Sequence, residues 1–190
     1  MRTIPRAIPF AVALAVLLGC GEPGDPAPPA APTTLVPATT LPASGFSVTD
    51  TAWLQLTIAM DERMLAVLDL VPVRTKDPAL TGLAQRLATE HRTELARLHA
   101  LHDRSGGPTT NPHEGHDMPG MPTGETVKAL RAATATDAAY IFTTATRAHI
   151  DQSIRLAQAE QKSGTEPEAK ALAADIERSR TAQRGQLDAL

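Results

Sequence analysis

The sequence predicts an all-α protein: a four-helix bundle built from two copies of one helical hairpin. Three observations carry that reading. Residues 51–101 repeat in fixed register 89 positions later, so that Trp53 matches Phe142, Leu65 matches Ile154, Asp77-Pro78 matches Glu166-Pro167, Leu83-Ala84 matches Leu172-Ala173 and Leu98 matches Leu187. Within each half the apolar residues recur three and four apart, the spacing of one helical face. A unit that cannot bury its apolar face alone must stack on its copy, and two stacked hairpins make four helices.

Residues 1–20 stand outside the repeat. Arg2 and Arg6 precede an apolar run from Ala7 to Leu18 that ends in Leu17-Leu18-Gly19-Cys20. The run is roughly a dozen residues, too short for a membrane-spanning helix, which takes about twenty, so it reads as an export signal. Its end resembles the lipobox of bacterial lipoproteins, in which Cys20 becomes the lipidated first residue. Cys20 is the only cysteine and therefore cannot form a disulfide within the domain. The expected partner is a membrane, held through an N-terminal lipid on the periplasmic or extracellular face.

Residues 21–45 are dominated by Pro, Ala and Thr and carry too little apolar surface to offset the entropy of folding, so they form an extended linker. The folded domain is 46–190, with hairpins at 46–103 and 124–190 and a connecting loop at 104–123. Of the 18 Lys and Arg, Arg2 and Arg6 leave with the signal, so 16 face 21 Asp and Glu. That acidic balance, with aromatics scarce, excludes a nucleic-acid partner.

The first helix starts between Ser47 and Asp50 and shows one apolar face through Trp53, Leu56, Met60, Met64, Val67, Leu68 and Val71. Asp77-Pro78 restarts the chain, since Asp suits the N-cap and Pro the first helical position. The second helix runs to about Asp103, and its stripe of Leu80, Leu83, Leu87, His91, Glu94 or Leu95, Leu98 and Leu101 includes two polar positions. After the loop, Glu125 to Ala133 forms a short helix and the third long helix runs from about Thr136 to Lys162. Gly164 fits its C-terminal cap. Thr165 with Glu168 has the form of a capping box for the fourth helix, whose stripe includes Leu172, Ile176, Arg180, Gln183 and Leu187.

Residues equidistant from the turn of an antiparallel hairpin share one height. Met60 and His91 are equidistant from the first turn, and His149 and Arg180 from the second, while the repeat makes His149 the counterpart of Met60. One layer should thus hold Met60, His91, His149 and Arg180, with Asp61, Glu94, Asp151 and Gln183 within a turn of it. Helices facing one another can offer several donors to one ion, so the layer is a candidate metal centre. The alternative is a buried polar network of His91, Glu94 and Arg180 with Met60 filling core volume.

The repeat, the lipobox, the Met-Pro-Gly-Met run at Met118–Met121 and the spacing from His149 to Glu166-Pro167 together resemble the domain of unknown function 305, a family of exported ferritin-like bundles. The resemblance implies a His-His pair on the first and third long helices, a Gln-x-x-Glu on the second and fourth, and an association with copper in some members. Here Met60-Asp61 and His149-Ile150 stand at the His-pair positions, and His91 with Glu94 and Arg180 with Gln183 stand at the others. Only His149 keeps the pattern.

The loop supplies a second set of candidate ligands: His113, His116, Met118 and Met121, with His99 and His102 one turn apart at the end of the second helix. Imidazole suits copper, nickel or zinc, and thioether sulfur favours reduced copper, so a mixed His/Met segment points to copper. A solvated His-rich loop, with His99 and His102 placed near the negative end of a helix, is the other reading. No Glu has a His three residues later, as a di-iron oxidase would need, and no serine sits in a Gly-x-Ser-x-Gly elbow, so an enzyme is not expected. Two functions remain: an exported, lipid-anchored metal-binding protein, with copper foremost, or a metal-free structural or interaction bundle.

Overall fold

The computed structural model describes residues 45–110, 112, 113 and 115–190. The expected signal, the lipidated Cys20 and most of the linker lie outside that range. Every regular element among the described residues is a helix: α1 (Val48–Leu68), α2 (Val71–Arg74), α3 (Pro78–Ser105), α4 (Gly124–Ala132), α5 (Ala135–Ser163) and α6 (Pro167–Asp188).

The helix starts follow the sequence closely. Ser47 and Asp50 form a reciprocal capping box at α1, and Asp77 accepts from the backbone N–H groups of Ala79 and Leu80 at α3, with Pro78 in the first turn. Gly106, at φ +65°, ends α3 in the left-handed conformation that glycine adopts without strain. Two local expectations are corrected. Val71 does not continue α1; it opens the single turn α2, because a turn at Asp69-Leu70 breaks the helix. The cap of α6 is Glu166, which accepts from Ala169 N–H at 2.5 Å, and not Thr165. Gly164 is the C-cap of α5, as expected, with its N–H donating to the Glu160 carbonyl, and its φ of −67° and ψ of 159° are ordinary extended backbone. It is glycine because a Cβ there would lie 2.2 Å from Glu160 Oε1 and 2.7 Å from Asp50 Oδ1.

The four long helices pack as two hairpins, α1 with α3 and α5 with α6, joined through α1–α5 and α3–α6 contacts. The start of α1 meets the end of α3 at Thr51 and Gly107, and the end of α3 meets the start of α6 where Arg104 pairs with Glu168. Neighbouring helices therefore run antiparallel. Positions matched by the repeat are buried in both halves, among them Trp53 and Phe142, Leu83 and Leu172, and Leu98 and Leu187. The interior is divided lengthwise. One apolar cluster around Met64, Leu83, Leu87 and Phe142 fills one half, and another around Trp53, Leu54, Leu98 and Ile176 fills the other. Between them lies a layer of buried polar side chains.

A second buried polar knot closes the end of the bundle. The Asp50 carboxylate accepts from Ser47 N–H and Oγ–H, from Thr165 N–H and Oγ1–H, both at 2.8 Å, and from Glu166 N–H at 3.2 Å. Burial alone would raise its pKa, but these donors and a hydrogen bond from Glu160 outweigh burial and hold it well below the usual carboxylate range. Glu160 shows the opposite response: burial, then the neighbouring Asp50, push it up to about 8, so it is the proton donor of the pair. A folded pKa above the unfolded one gives a stabilisation that is complete below about pH 4.5 and is lost as the pH rises to about 8. Urea denaturation between about pH 7 and 9, above the range where unfolded histidine titrates, should show stability falling with pH. Glu160→Gln should make that slope shallower.

Candidate metal centre

The central layer draws one or two side chains from each long helix: Asp61 from α1, His91 and Glu94 from α3, His149 and Ser153 from α5, and Arg180 and Gln183 from α6. All are buried, with Asp61, His149 and Arg180 at 0% exposure. His91 Nδ1–H donates to the Leu87 carbonyl one turn back at 2.9 Å, which leaves the Nε2 lone pair facing inward. That nitrogen lies 3.1 Å from His149 Nε2, which in turn lies 3.2 Å from Asp61 Oδ1, and the third edge, His91 Nε2 to Asp61 Oδ1, is 3.7 Å. Two donors bound tetrahedrally to one ion at about 2.0–2.1 Å sit roughly 3.3 Å apart. The three atoms thus form a triangle of the size that one coordination sphere presents. Among the described residues, this is the one group of three His or acidic side chains whose donor atoms converge in this way.

The charges around the triangle are set by Arg180. Its Nη2 donates to Glu94 Oε1 at 2.7 Å and to Asp61 Oδ1 at 3.0 Å, and its Nη1 reaches Gln183 Oε1 at 3.4 Å. Gln183 Nε2 then donates to Glu90 Oε2 at 2.7 Å, carrying the network outward. Burial, followed by the charge of Asp61, pushes Glu94 up to about 8 even with Arg180 beside it. Burial also raises Asp61, while Arg180 and a hydrogen bond from Glu94 pull it back. The two carboxyls therefore share one proton, and their single negative charge balances the guanidinium. Burial and then Arg180 depress both imidazoles, His149 to about 3 and His91 well below its usual value, so both are neutral; because the inward nitrogen of His91 is bare, the His149 Nε2–H is the donor of the 3.1 Å contact between the rings. His149 Nδ1 has no partner at hydrogen-bonding distance.

His91, Glu94 and His149 fall in this layer, as the hairpin geometry predicts. Met60 does not. The position facing the imidazoles is Asp61, one residue and about 100° further round α1, and Met60 instead packs with Met118 and Met121. Symmetric counting about a turn fixes height but not rotation, and the break before α2 shifts the count. Asp61 has a signature in the sequence that this counting misses: Leu54, Ile58, Asp61, Leu65 and Leu68 recur four and three apart, an apolar stripe, buried except for the partly buried Leu65, with an acid at its centre. The loop candidates are divided between different places. His99, His102 and His113 line a surface cleft of about 400 Å³ with Glu62, where His99 Nε2 lies 3.8 Å from Glu62 Oε1. His116 is exposed, and Met118 and Met121 turn inward. The Arg63–Asp117 pair at 2.9 Å holds the loop across α1.

A bundle of two repeated hairpins around a buried His/His/Asp triangle is the class of protein that these features define. The chain belongs to the family described as domain of unknown function (DUF305), which it matches over residues 50–190. It is also similar in fold to the crystal structure of a DUF305 fragment from Deinococcus radiodurans, with a TM-score of 0.67 at 17% identity over 76% of this chain and 99% of that one. No curated protein matches it.

Removing one partner of a buried ion pair leaves an uncompensated charge. Arg180→Ala should therefore cost about 3–5 kcal/mol in a urea titration at neutral pH. Arg180→Ala combined with Asp61→Asn and Glu94→Gln should recover part of that loss.

Proposed function

We propose that this chain is an exported, lipid-anchored metal-binding protein whose ion is held by Asp61, His91 and His149. The observation that carries the reading is the 3.1–3.7 Å triangle of two imidazole nitrogens and one carboxylate oxygen. The donor set fits a divalent transition metal: neutral imidazoles need no deprotonation, and Asp61 supplies the negative charge. Copper is the foremost ion, because divalent copper binds such nitrogen and oxygen donors most tightly in the first-row series. Glu94 and Arg180 would then form the outer shell, holding the Asp61 carboxylate in place. The role is binding rather than catalysis, since each of the three donors is buried away from any substrate. Anchoring rests on Cys20 and the preceding apolar run; among the described residues no helix is long and apolar enough to cross a membrane.

One observation favours the metal-free alternative. Asp61 Oδ1, the oxygen that would ligate, already accepts from Arg180 at 3.0 Å, so the layer also holds together as a polar network without an ion. Calorimetry and thermal unfolding with cupric, zinc and cobaltous ions separate the two readings. A ligand that binds only the folded state, at about a hundred times its Kd, adds about 2.7 kcal/mol. The metal reading predicts one equivalent bound and a raised Tm, both lost in His91→Ala and in Asp61→Ala. An unchanged Tm with all three ions would leave the structural reading.

A further inference from the structure

Ser153 lies on α5 one turn beyond His149 and is buried. A hydroxyl inside a helix commonly bonds back to the carbonyl one turn earlier, and Thr57, Thr89, Thr93, Thr143 and Thr181 all do so here. Ser153 turns instead to the His149 ring, with Oγ 3.3 Å from Nε2. That nitrogen also faces His91 Nε2 at 3.1 Å and Asp61 Oδ1 at 3.2 Å. His149 Nε2 thus has polar neighbours from α1, α3 and α5, each at about the donor spacing of one tetrahedral ion. A smaller apolar residue would fill the position as well, as Ala157 does one turn on. A buried hydroxyl is costly unless it finds a partner, and the partner here is a candidate ligand nitrogen.

We propose that the Ser153 hydroxyl is a fourth ligand of the ion held by Asp61, His91 and His149, closing the site against water. The inference rests on the metal reading above and adds a donor to it. The hydroxyl ligates as a neutral oxygen, through a lone pair, and keeps its proton. His149 also stays neutral: when Nε2 takes the ion, the ring proton moves to Nδ1, which has no partner at hydrogen-bonding distance. Three protein ligands and one open position mark a catalytic zinc-type site, whereas four protein ligands make a closed one. Two imidazoles, one carboxylate and one hydroxyl suit a divalent ion of the copper, zinc or cobalt class, and the set contains no sulfur to favour a soft monovalent one. Ser153 therefore decides whether the bound ion is retained by the protein alone or shares its coordination with solvent.

Cobaltous ion, which reports its coordination in its absorption spectrum and does not oxidise thiols, is the probe. The full chain is titrated as the parent, as Ser153→Ala and as Ser153→Cys. Both substitutions are close to serine in size and should leave circular dichroism unchanged. The parent is expected to bind one equivalent with the visible bands of a four-coordinate ion, and Ser153→Ala to bind about tenfold more weakly, or worse. Ser153→Cys should add a near-ultraviolet thiolate-to-cobalt band that grows and saturates with the visible bands. Cys20 is present in all three proteins, so the parent spectrum is the background for that band. The role of Ser153 is overturned, with the metal reading left standing, if Ser153→Ala matches the parent affinity, if Ser153→Cys binds without the new band, or if the parent binds copper or zinc but not cobalt. A parent that binds none of the three ions overturns both.

Discussion

A guanidinium with no water around it must find its compensating charge inside the protein, and here that requirement ties three helices together. Arg180 reaches across from α6 to Asp61 on α1 and Glu94 on α3. Desolvating such a group is costly unless the geometry of its partners is good. A rotation of α6, or a slide of one turn, would strand the cation in an apolar half of the bundle. The apolar clusters on either side supply the burial that drives folding, but leucine and alanine faces tolerate several registers. The ion triad admits one.

The same constraint gives the imidazoles their character. A cation in the layer keeps His91 and His149 unprotonated, and the proton shared by Asp61 and Glu94 keeps the layer near neutrality. His91 is oriented from outside the triangle by the Leu87 carbonyl, whereas His149 is held by contacts of its inward nitrogen alone. The loop meets α5 beside this layer, where Gly120 lies against Ala148 and Gln152. The Asp50–Glu160 knot at the far end uses the same device, one proton between two buried carboxyls, to pin the start of α1 to the α5–α6 turn.

Much of this was legible in the chain, because the features involved are local or periodic. The 89-residue repeat, the caps at Ser47 and Asp77 and the polar interruptions at His91, Glu94 and Arg180 all express helix periodicity or end chemistry. What was hidden depends on rotation and on tertiary approach. The choice of Asp61 over Met60 turns on the angular setting of α1. Gly164 is explained by two carboxylates, one of them more than a hundred residues away, and the division of the loop into a histidine wall and a methionine turn depends on which helix each part touches.

Arg180 and the shared carboxyl proton hold two neutral imidazoles around one point. Long-range proton–nitrogen NMR of the histidine rings at pH 5, before and after one equivalent of zinc, reads this arrangement at the two rings themselves. His91 and His149 should be neutral at that pH, with His91 as the Nδ1–H tautomer, and both Nε2 resonances should move together when the metal is added. A ring found protonated at pH 5, or only one of the two responding to zinc, would contradict it.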